Sequence, residues 1–199
     1  MKALTQITAT LALMISLGAA GIYAQQKPVK MRYSGTNVAT TINLQPDTVT
    51  DEEIFAGTSS LGPFTYRELH ADTLSPGSSS TCSGPNQLYF PTTTGAGVFR
   101  FQDGSLLTVT MTEGSVCVDL TAGVGHLAET YQITGGTGRF KDASGTLTLT
   151  GLLKPVLFNA SGDPALLTNT GQFEGTVFGL ARGEEEQDEL AVPSSSSRN

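Results

Sequence analysis

The stretch from Thr130 to Gly151, TYQITGGTGRFKDASGTLTLTG, decides the fold of this chain. Apolar residues alternate with polar ones at both of its ends, as Tyr131 and Ile133 do before the glycines and Leu147 and Leu149 after them. A period of two is typical of a strand that buries one face. The stretch therefore predicts two antiparallel strands joined by a short connection.

The connection between these strands is rich in glycine, the residue that adopts positive φ angles without steric cost. We expect the turn to be structural, with at least one positive φ among Gly135, Gly136 and Gly138.

The rest of residues 28–182 shows the same pattern of short alternating segments, eleven in all, and no convincing amphipathic helix. Glycine turn signals separate many of them. Asp103-Gly104 and Glu113-Gly114 each predict a two-residue hairpin. One all-β domain over 28–182 is expected, either a β-sandwich or a closed antiparallel barrel.

The glycine-rich hairpin resembles the signature of the allene oxide cyclase and dirigent barrels. In those families a strand leads into a GGTG-type turn, an aromatic residue, small residues and the next strand. The positions that fit are Gly135, Gly136, Gly138, Phe140, Ala143 and Gly145. The resemblance implies a closed barrel of about eight antiparallel strands with room for one small ligand. The catalytic positions of those families have no match here, so the resemblance does not imply the cyclase reaction.

The two ends of the chain differ from this domain. Lys2, the apolar run over 7–22 and Ala24 predict a signal peptide over 1–24, with a membrane anchor as the alternative. Residues 183–199, GEEEQDELAVPSSSSRN, predict a disordered acidic and serine-rich tail. We therefore expect a secreted or periplasmic protein that is not stably inserted in a membrane once the leader is removed.

The charge balance argues against one class of partner. Lys and Arg number 11 against 18 Asp and Glu, for a net charge of -7. No basic stripe is present, so nucleic acid and anionic membranes are not expected as partners. The oligomeric state stays open.

Cys82 and Cys117 are the two cysteines of the chain. In an oxidising compartment an isolated pair is most simply a disulfide. Without spaced His or Cys partners they do not predict a zinc site.

The GGTG turn is not a dinucleotide-binding fingerprint, because no helix is expected after it. We expect neither a cofactor nor a metal.

Two strands carry the candidate site residues. In FTYRELHA, alternation places Tyr66, Glu68 and His70 on one face, which predicts a carboxylate beside an imidazole inside the barrel. The simpler interpretation is that this strand ends at the rim and leaves His70 in solvent. In HLAETYQI, Glu129 and Tyr131 share an inward face, where they serve either as structural hydrogen-bond partners or as site residues.

Three functions follow as hypotheses. The first is a barrel that binds a small hydrophobic molecule, or steers its chemistry as dirigent proteins do, through Tyr66, Glu68, His70, Glu129 and Tyr131. The second is an isomerase of the allene oxide cyclase type, and the third is a non-catalytic envelope or matrix protein with a packed barrel. The sequence does not decide whether the protein is an enzyme.

Overall fold

The structure of the protein is a computed structural model that describes residues 26–181. The expected signal peptide over 1–24 and nearly all of the expected tail over 183–199 fall outside these residues, so both stay predictions. Within 26–181 no helix is long and apolar enough to cross a membrane.

Eight strands make up almost all of the described chain. They are β1 (Lys27–Ala39), β2 (Thr48–Ser59), β3 (Phe64–Thr73), β4 (Gln87–Phe101), β5 (Leu106–Asp119), β6 (Val124–Gly136), β7 (Ser144–Phe158) and β8 (Pro164–Phe178). Each strand pairs antiparallel with the next in sequence, and β8 pairs with β1. The closed antiparallel barrel is confirmed, and the sandwich alternative is wrong.

Some of the eleven predicted segments join in pairs, so that two neighbouring segments form one longer strand, as in β4 and in β5. The predicted hairpin at Glu113-Gly114 is wrong, because β5 runs through both residues and the pairing with β6 shifts register between Met111 and Glu113. Gly114 is buried, and a Cβ there would lie 2.6 Å from Met111 Sδ. The glycine therefore serves close packing beside a bulge rather than a turn.

The glycine connection between β6 and β7 is a turn, as predicted. Gly135 and Gly138 have φ angles of 128° and 59°. Gly136 is needed for space, because a Cβ there would lie 2.0 Å from the Leu106 carbonyl oxygen. A single 3-10 turn, Gly138–Phe140, follows and buries the Phe140 ring.

The two ends of the barrel differ in character. The end with the β2–β3, β4–β5 and β6–β7 connections is closed by apolar side chains: Leu61, Phe64, Phe101, Leu107, Phe140 and Val177. The Arg139 guanidinium stacks over the rings of Phe101 and Phe140 at 5.0 and 4.8 Å. Aromatic rings fill the middle of the barrel, where Tyr66 contacts Phe99 and Phe173 at centroid distances of 4.3 and 5.2 Å.

The disulfide between Cys82 and Cys117 is present, as predicted, with Cα atoms 5.7 Å apart. It ties the long β3–β4 loop to β5. That loop lies at the opposite end of the barrel from Phe140.

Candidate functional site

Buried polar side chains gather inside the barrel at the end with the β1–β2, β3–β4, β5–β6 and β7–β8 loops. We call them the polar layer: Asn37, Glu53, Glu68, His70, Glu129 and Asn169, with the hydroxyl groups of Tyr33, Tyr66 and Tyr131. The six polar side chains are each 3 % exposed or less. Carboxyl groups this deeply buried are costly, so the cluster is an obvious candidate site.

All five residues singled out from the sequence are buried there. Tyr66, Glu68 and His70 come from β3, and Glu129 and Tyr131 come from β6. His70 is fully buried, so the interpretation that β3 ends at the rim with His70 in solvent is wrong. Strand alternation places these side chains inside because every second residue of a barrel strand faces the interior.

Tyr131 lies between two carboxyl groups, one from each strand. Its hydroxyl oxygen is 2.7 Å from Glu68 Oε2 and 2.6 Å from Glu129 Oε2, and the Tyr66 hydroxyl donates to Glu68 Oε2 at 2.6 Å. A hydroxyl has one proton to donate, so both short contacts of Tyr131 form only if one carboxyl group is itself protonated. The network therefore holds at least one neutral carboxylic acid.

Glu129 is the better candidate for that proton. Burial, followed by repulsion from Glu68 and Glu53, raises the pKa of Glu129 well above its usual value. Burial also raises the pKa of Glu68, but two tyrosine hydroxyls and His70 oppose this by stabilising the charged form. A protonated Glu129 then donates to Tyr131, which donates to Glu68.

A second group of polar residues extends the layer, and sequence analysis did not identify it. Glu53 Oε1 accepts hydrogen bonds from Asn169 Nδ2 at 2.8 Å and from Asn37 Nδ2 at 3.2 Å. The Tyr33 hydroxyl donates to Asn169 Oδ1 at 3.1 Å. Burial, partly opposed by His70, raises the pKa of Glu53 to about 7.

His70 lies where the polar layer meets the barrel mouth. Its Nδ1 atom is 4.0 Å from Glu68 Oε1, and its Nε2 atom is 3.6 Å from Asp72 Oδ2 and 3.9 Å from Asp51 Oδ2. Burial favours the neutral imidazole, but the surrounding carboxylates, Asp72 and Glu53 foremost, raise the pKa of His70 well above its usual value.

Several atoms of the polar layer have no hydrogen-bond partner in the part of the chain that the structure describes. They are Glu53 Oε2, Glu68 Oε1, Glu129 Oε1 and both ring nitrogens of His70. An unpaired buried polar group costs about 1–3 kcal/mol, so these atoms are where a bound molecule or ion would gain most.

Exposed apolar side chains surround the same end of the barrel. Of the nine large hydrophobic residues that are exposed between residues 26 and 181, eight lie in the loops and strand ends there. We call them the apolar rim: Val38, Ile42, Leu44, Leu74, Leu120, Val156, Leu157 and Phe158. Phe158 is 56 % exposed. Exposed apolar surface concentrated in one place is typical of a site where another molecule binds.

A separate groove of about 940 Å³ lies mainly along the outer face of β3, β4 and β5. The β1–β2 loop, with Ile42 and Leu44, forms part of its lining, as do Ala96 and Val98. Small apolar and threonine side chains make up most of this surface, and its charged residues are Glu52, Arg67 and Glu68, of which Glu68 also belongs to the polar layer.

No family model matches the chain, and no curated protein is similar to it in sequence. Among solved structures, the chain is similar to a nonspecific heme-binding cyclase that catalyses a 4 + 2 cycloaddition during neoabyssomicin biosynthesis. The two share 13% identity over 87% of this chain and 78% of the other, with a TM-score of 0.37. A likeness this weak says nothing about the ligand or the reaction of this chain.

Proposed function

We propose that the protein binds a small, largely apolar molecule at the mouth of the barrel, with a hydrogen-bond donor of that molecule in the polar layer. The observation that carries the proposal is the coincidence of unpartnered buried carboxyl oxygens and the apolar rim at one end of the barrel. Apolar contact supplies most of the affinity in such sites, and a few polar groups fix the orientation.

The polar layer favours a ligand that carries a hydroxyl or amino group. Glu53 Oε2, Glu68 Oε1 and Glu129 Oε1 are all free to accept a hydrogen bond. An anionic ligand would be repelled by the carboxylates that surround it. Rings fill the barrel below the polar layer, so the ligand sits at the mouth rather than deep in the barrel.

Catalysis by the same residues is the second candidate. The chain from Glu129 through Tyr131 to Glu68 consists of contacts of 2.6 and 2.7 Å, which suits the transfer of a proton to or from a bound molecule. An isomerase or cyclase of the allene oxide cyclase type, or the steering role of dirigent proteins, is what the hairpin resemblance implies.

A packed, non-catalytic barrel is the third candidate. It is favoured by the aromatic filling around Phe99 and Phe173, whose ring centroids are 5.0 Å apart. In that case the polar layer would be a structural hydrogen-bond network of an envelope or matrix protein.

Binding of the fluorescent dye N-phenyl-1-naphthylamine tests the proposal, because the dye is neutral, apolar and carries one N–H donor. We expect the protein to bind it, the N-methyl derivative to bind more weakly, and Glu129→Met to reduce binding. Glu174→Met is the matched control, since Glu174 lies on the outer wall in an ion pair with Lys30. No binding by the folded wild-type protein would overturn the proposal and favour the packed barrel.

The catalytic candidate needs a different measurement. A molecule that copurifies with the protein would be incubated with it in D2O. Proton transfer by Tyr131 or Glu129 would place deuterium on carbon, which stays after the molecule is returned to H2O. Binding alone would leave the mass unchanged after that return, because hydroxyl and amino deuterium exchanges out.

We further infer that the protein is exported. The predicted leader and the Cys82–Cys117 disulfide support this, because structural disulfides persist in oxidising compartments. N-terminal sequencing of the mature protein tests it, with Gln25 expected as the first residue.

A further inference from the structure

We propose that Asp51, His70 and Asp72 form a binding site for a divalent transition-metal cation at the barrel mouth. This site does not depend on the ligand proposed above. Potential ligand atoms of the three residues all lie within 4.8 Å of one another. From the sequence we expected no metal, since the two cysteines have no spaced His or Cys partner. Asp51, His70 and Asp72 come from two strands and show no recognisable ligand spacing.

Strand pairing brings the three side chains together. Asp51 on β2 lies directly opposite His70 on β3, and Asp72 follows His70 by two residues, on the same face. The pairing of β3 with β4 shifts register between Ala71 and Asp72. Bulges of this kind often re-aim a side chain next to a functional site.

The distances suit one shared ion. His70 Nε2 is 3.6 Å from Asp72 Oδ2 and 3.9 Å from Asp51 Oδ2. Two atoms that each lie about 2.1 Å from a zinc ion are at most about 4.2 Å apart. Only small rotations of the carboxylates are needed to enclose a cation.

The imidazole of His70 is buried without a hydrogen bond. Its side chain is 1 % exposed, and its Nε2 atom has no hydrogen-bond partner among residues 26–181. The atom lies between the two aspartates, where a bound cation would satisfy it. A cation would also offset the two carboxylate charges, which are held close together at 15 % and 11 % side-chain exposure.

Neighbouring residues orient Asp72 and lie close to His70. Asp72 Oδ1 accepts a hydrogen bond from Thr92 Oγ1 at 2.6 Å, which leaves Oδ2 facing His70. Glu68 Oε1 lies 4.0 Å from His70 Nδ1, on the other side of the ring. Metal-binding histidines commonly direct the second ring N–H at a carboxylate, and Glu68 would have to approach His70 by about 1 Å to accept that bond.

The donor set determines the class of metal. One nitrogen and two carboxylate oxygens without sulfur suit Zn²⁺, Mn²⁺, Fe²⁺ or Co²⁺ better than the soft Cu⁺ ion. Three protein ligands leave at least one position open, as in catalytic rather than structural zinc sites.

A deeper trio, Glu53, Glu68 and His70, also meets the distance criterion. We favour the outer site for two reasons. First, Glu53 and Glu68 each already accept two hydrogen bonds on one oxygen. Second, both are fully buried, whereas Asp51 and Asp72 are in contact with solvent. A cation therefore reaches the outer site without crossing the polar layer.

Calorimetric titration of EDTA-treated, dialysed protein with ZnCl2 and MnCl2 tests the site. We expect one ion per chain, with affinity reduced about a hundredfold in Asp51→Asn and Asp72→Asn, and about tenfold in Glu68→Gln, whose residue acts only through His70. Glu52→Gln is the matched control, because Glu52 neighbours Asp51 but pairs with Arg67 on the outer wall. Absorption of the Co²⁺ form should show nitrogen and oxygen ligands.

Circular dichroism of each metal-free variant separates lost binding from lost folding. Three results would overturn the assignment: no binding by the wild-type protein, loss of binding only in His126→Ala, whose imidazole is exposed, or loss in Glu53→Gln with retention in Asp51→Asn. The last result would place the ion in the deeper trio.

Discussion

Replacing Glu129 with methionine should make the protein more stable while it weakens ligand binding. Glu129 is 3 % exposed, and its Oε1 atom has no hydrogen-bond partner within the described residues 26–181. Residues that serve a binding site are commonly worse for stability than an apolar residue of similar size, and this substitution tests whether Glu129 is one of them.

The size of the effect follows from the contacts that are lost. Methionine removes an unpaired buried oxygen, worth about 1–3 kcal/mol, and one hydrogen bond to Tyr131, worth about 1 kcal/mol. Tyr131 keeps its contact with Glu68 Oε2 at 2.7 Å, so no new unpaired group is created. The free energy of unfolding should rise by about 1 kcal/mol, and Tm by roughly 3 °C for a domain of this size.

Urea unfolding measures this difference. It is monitored by far-UV circular dichroism, because the chain has no Trp for a fluorescence signal. Glu174→Met on the outer wall should change the free energy of unfolding by less than about 0.5 kcal/mol. A loss of 2 kcal/mol or more in Glu129→Met would refute the reasoning, because it would make Glu129 a structural partner of Tyr131 rather than a site residue.

Three further predictions concern the scaffold and its titration. Replacing Cys82 and Cys117 with serine should lower the free energy of unfolding by about 4 kcal/mol, which is the value of the chain-entropy model for a separation of 35 residues. Urea unfolding measures this loss, and a change below about 1 kcal/mol would contradict the prediction. Gly136→Ala should cost about 1–3 kcal/mol through its contact with the Leu106 carbonyl, and more than Gly77→Ala, whose Cβ would lie no closer than 3.4 Å to any neighbour. Equal melting temperatures of the two variants would argue against the close approach. Because the pKa of Glu129 is raised, the folded state keeps a proton on Glu129 that the unfolded state loses above about pH 4.5. The stability that comes from this proton is full below that pH and is lost as the pH rises. The Tm of EDTA-treated wild-type protein should therefore fall between pH 5 and pH 8 by more than the Tm of Glu129→Met. Parallel curves of Tm against pH for the two proteins would be evidence against a raised pKa of Glu129.

Strand alternation was enough to predict the inward face of β3 and β6. Tyr66, Glu68, Glu129 and Tyr131 alternate with polar or small outward residues, and a barrel buries such a face. The glycine turn and the disulfide were predictable for local reasons, from positive φ at Gly135 and from an isolated cysteine pair.

The other half of the polar layer could not be found in the same way. On β2 the buried Glu53 neighbours Ile54, which is 49 % exposed, so hydrophobicity alone indicates the wrong face. Asn37 and Asn169 lie far apart in sequence, and only the pairing of β1 with β8 brings them near each other. The available signal was the period of two that runs from Met31 through Tyr33 to Asn37.

The polar layer and the apolar rim together make up the proposed ligand site. A crystal structure of the protein, purified from its source without removing bound lipids or small molecules, tests this most directly. We expect density for an apolar molecule at the barrel mouth, with a donor group within hydrogen-bond distance of Glu53, Glu68 or Glu129. A mouth closed by the rim side chains, with every carboxyl oxygen of the layer paired to protein or to ordered water, would contradict it.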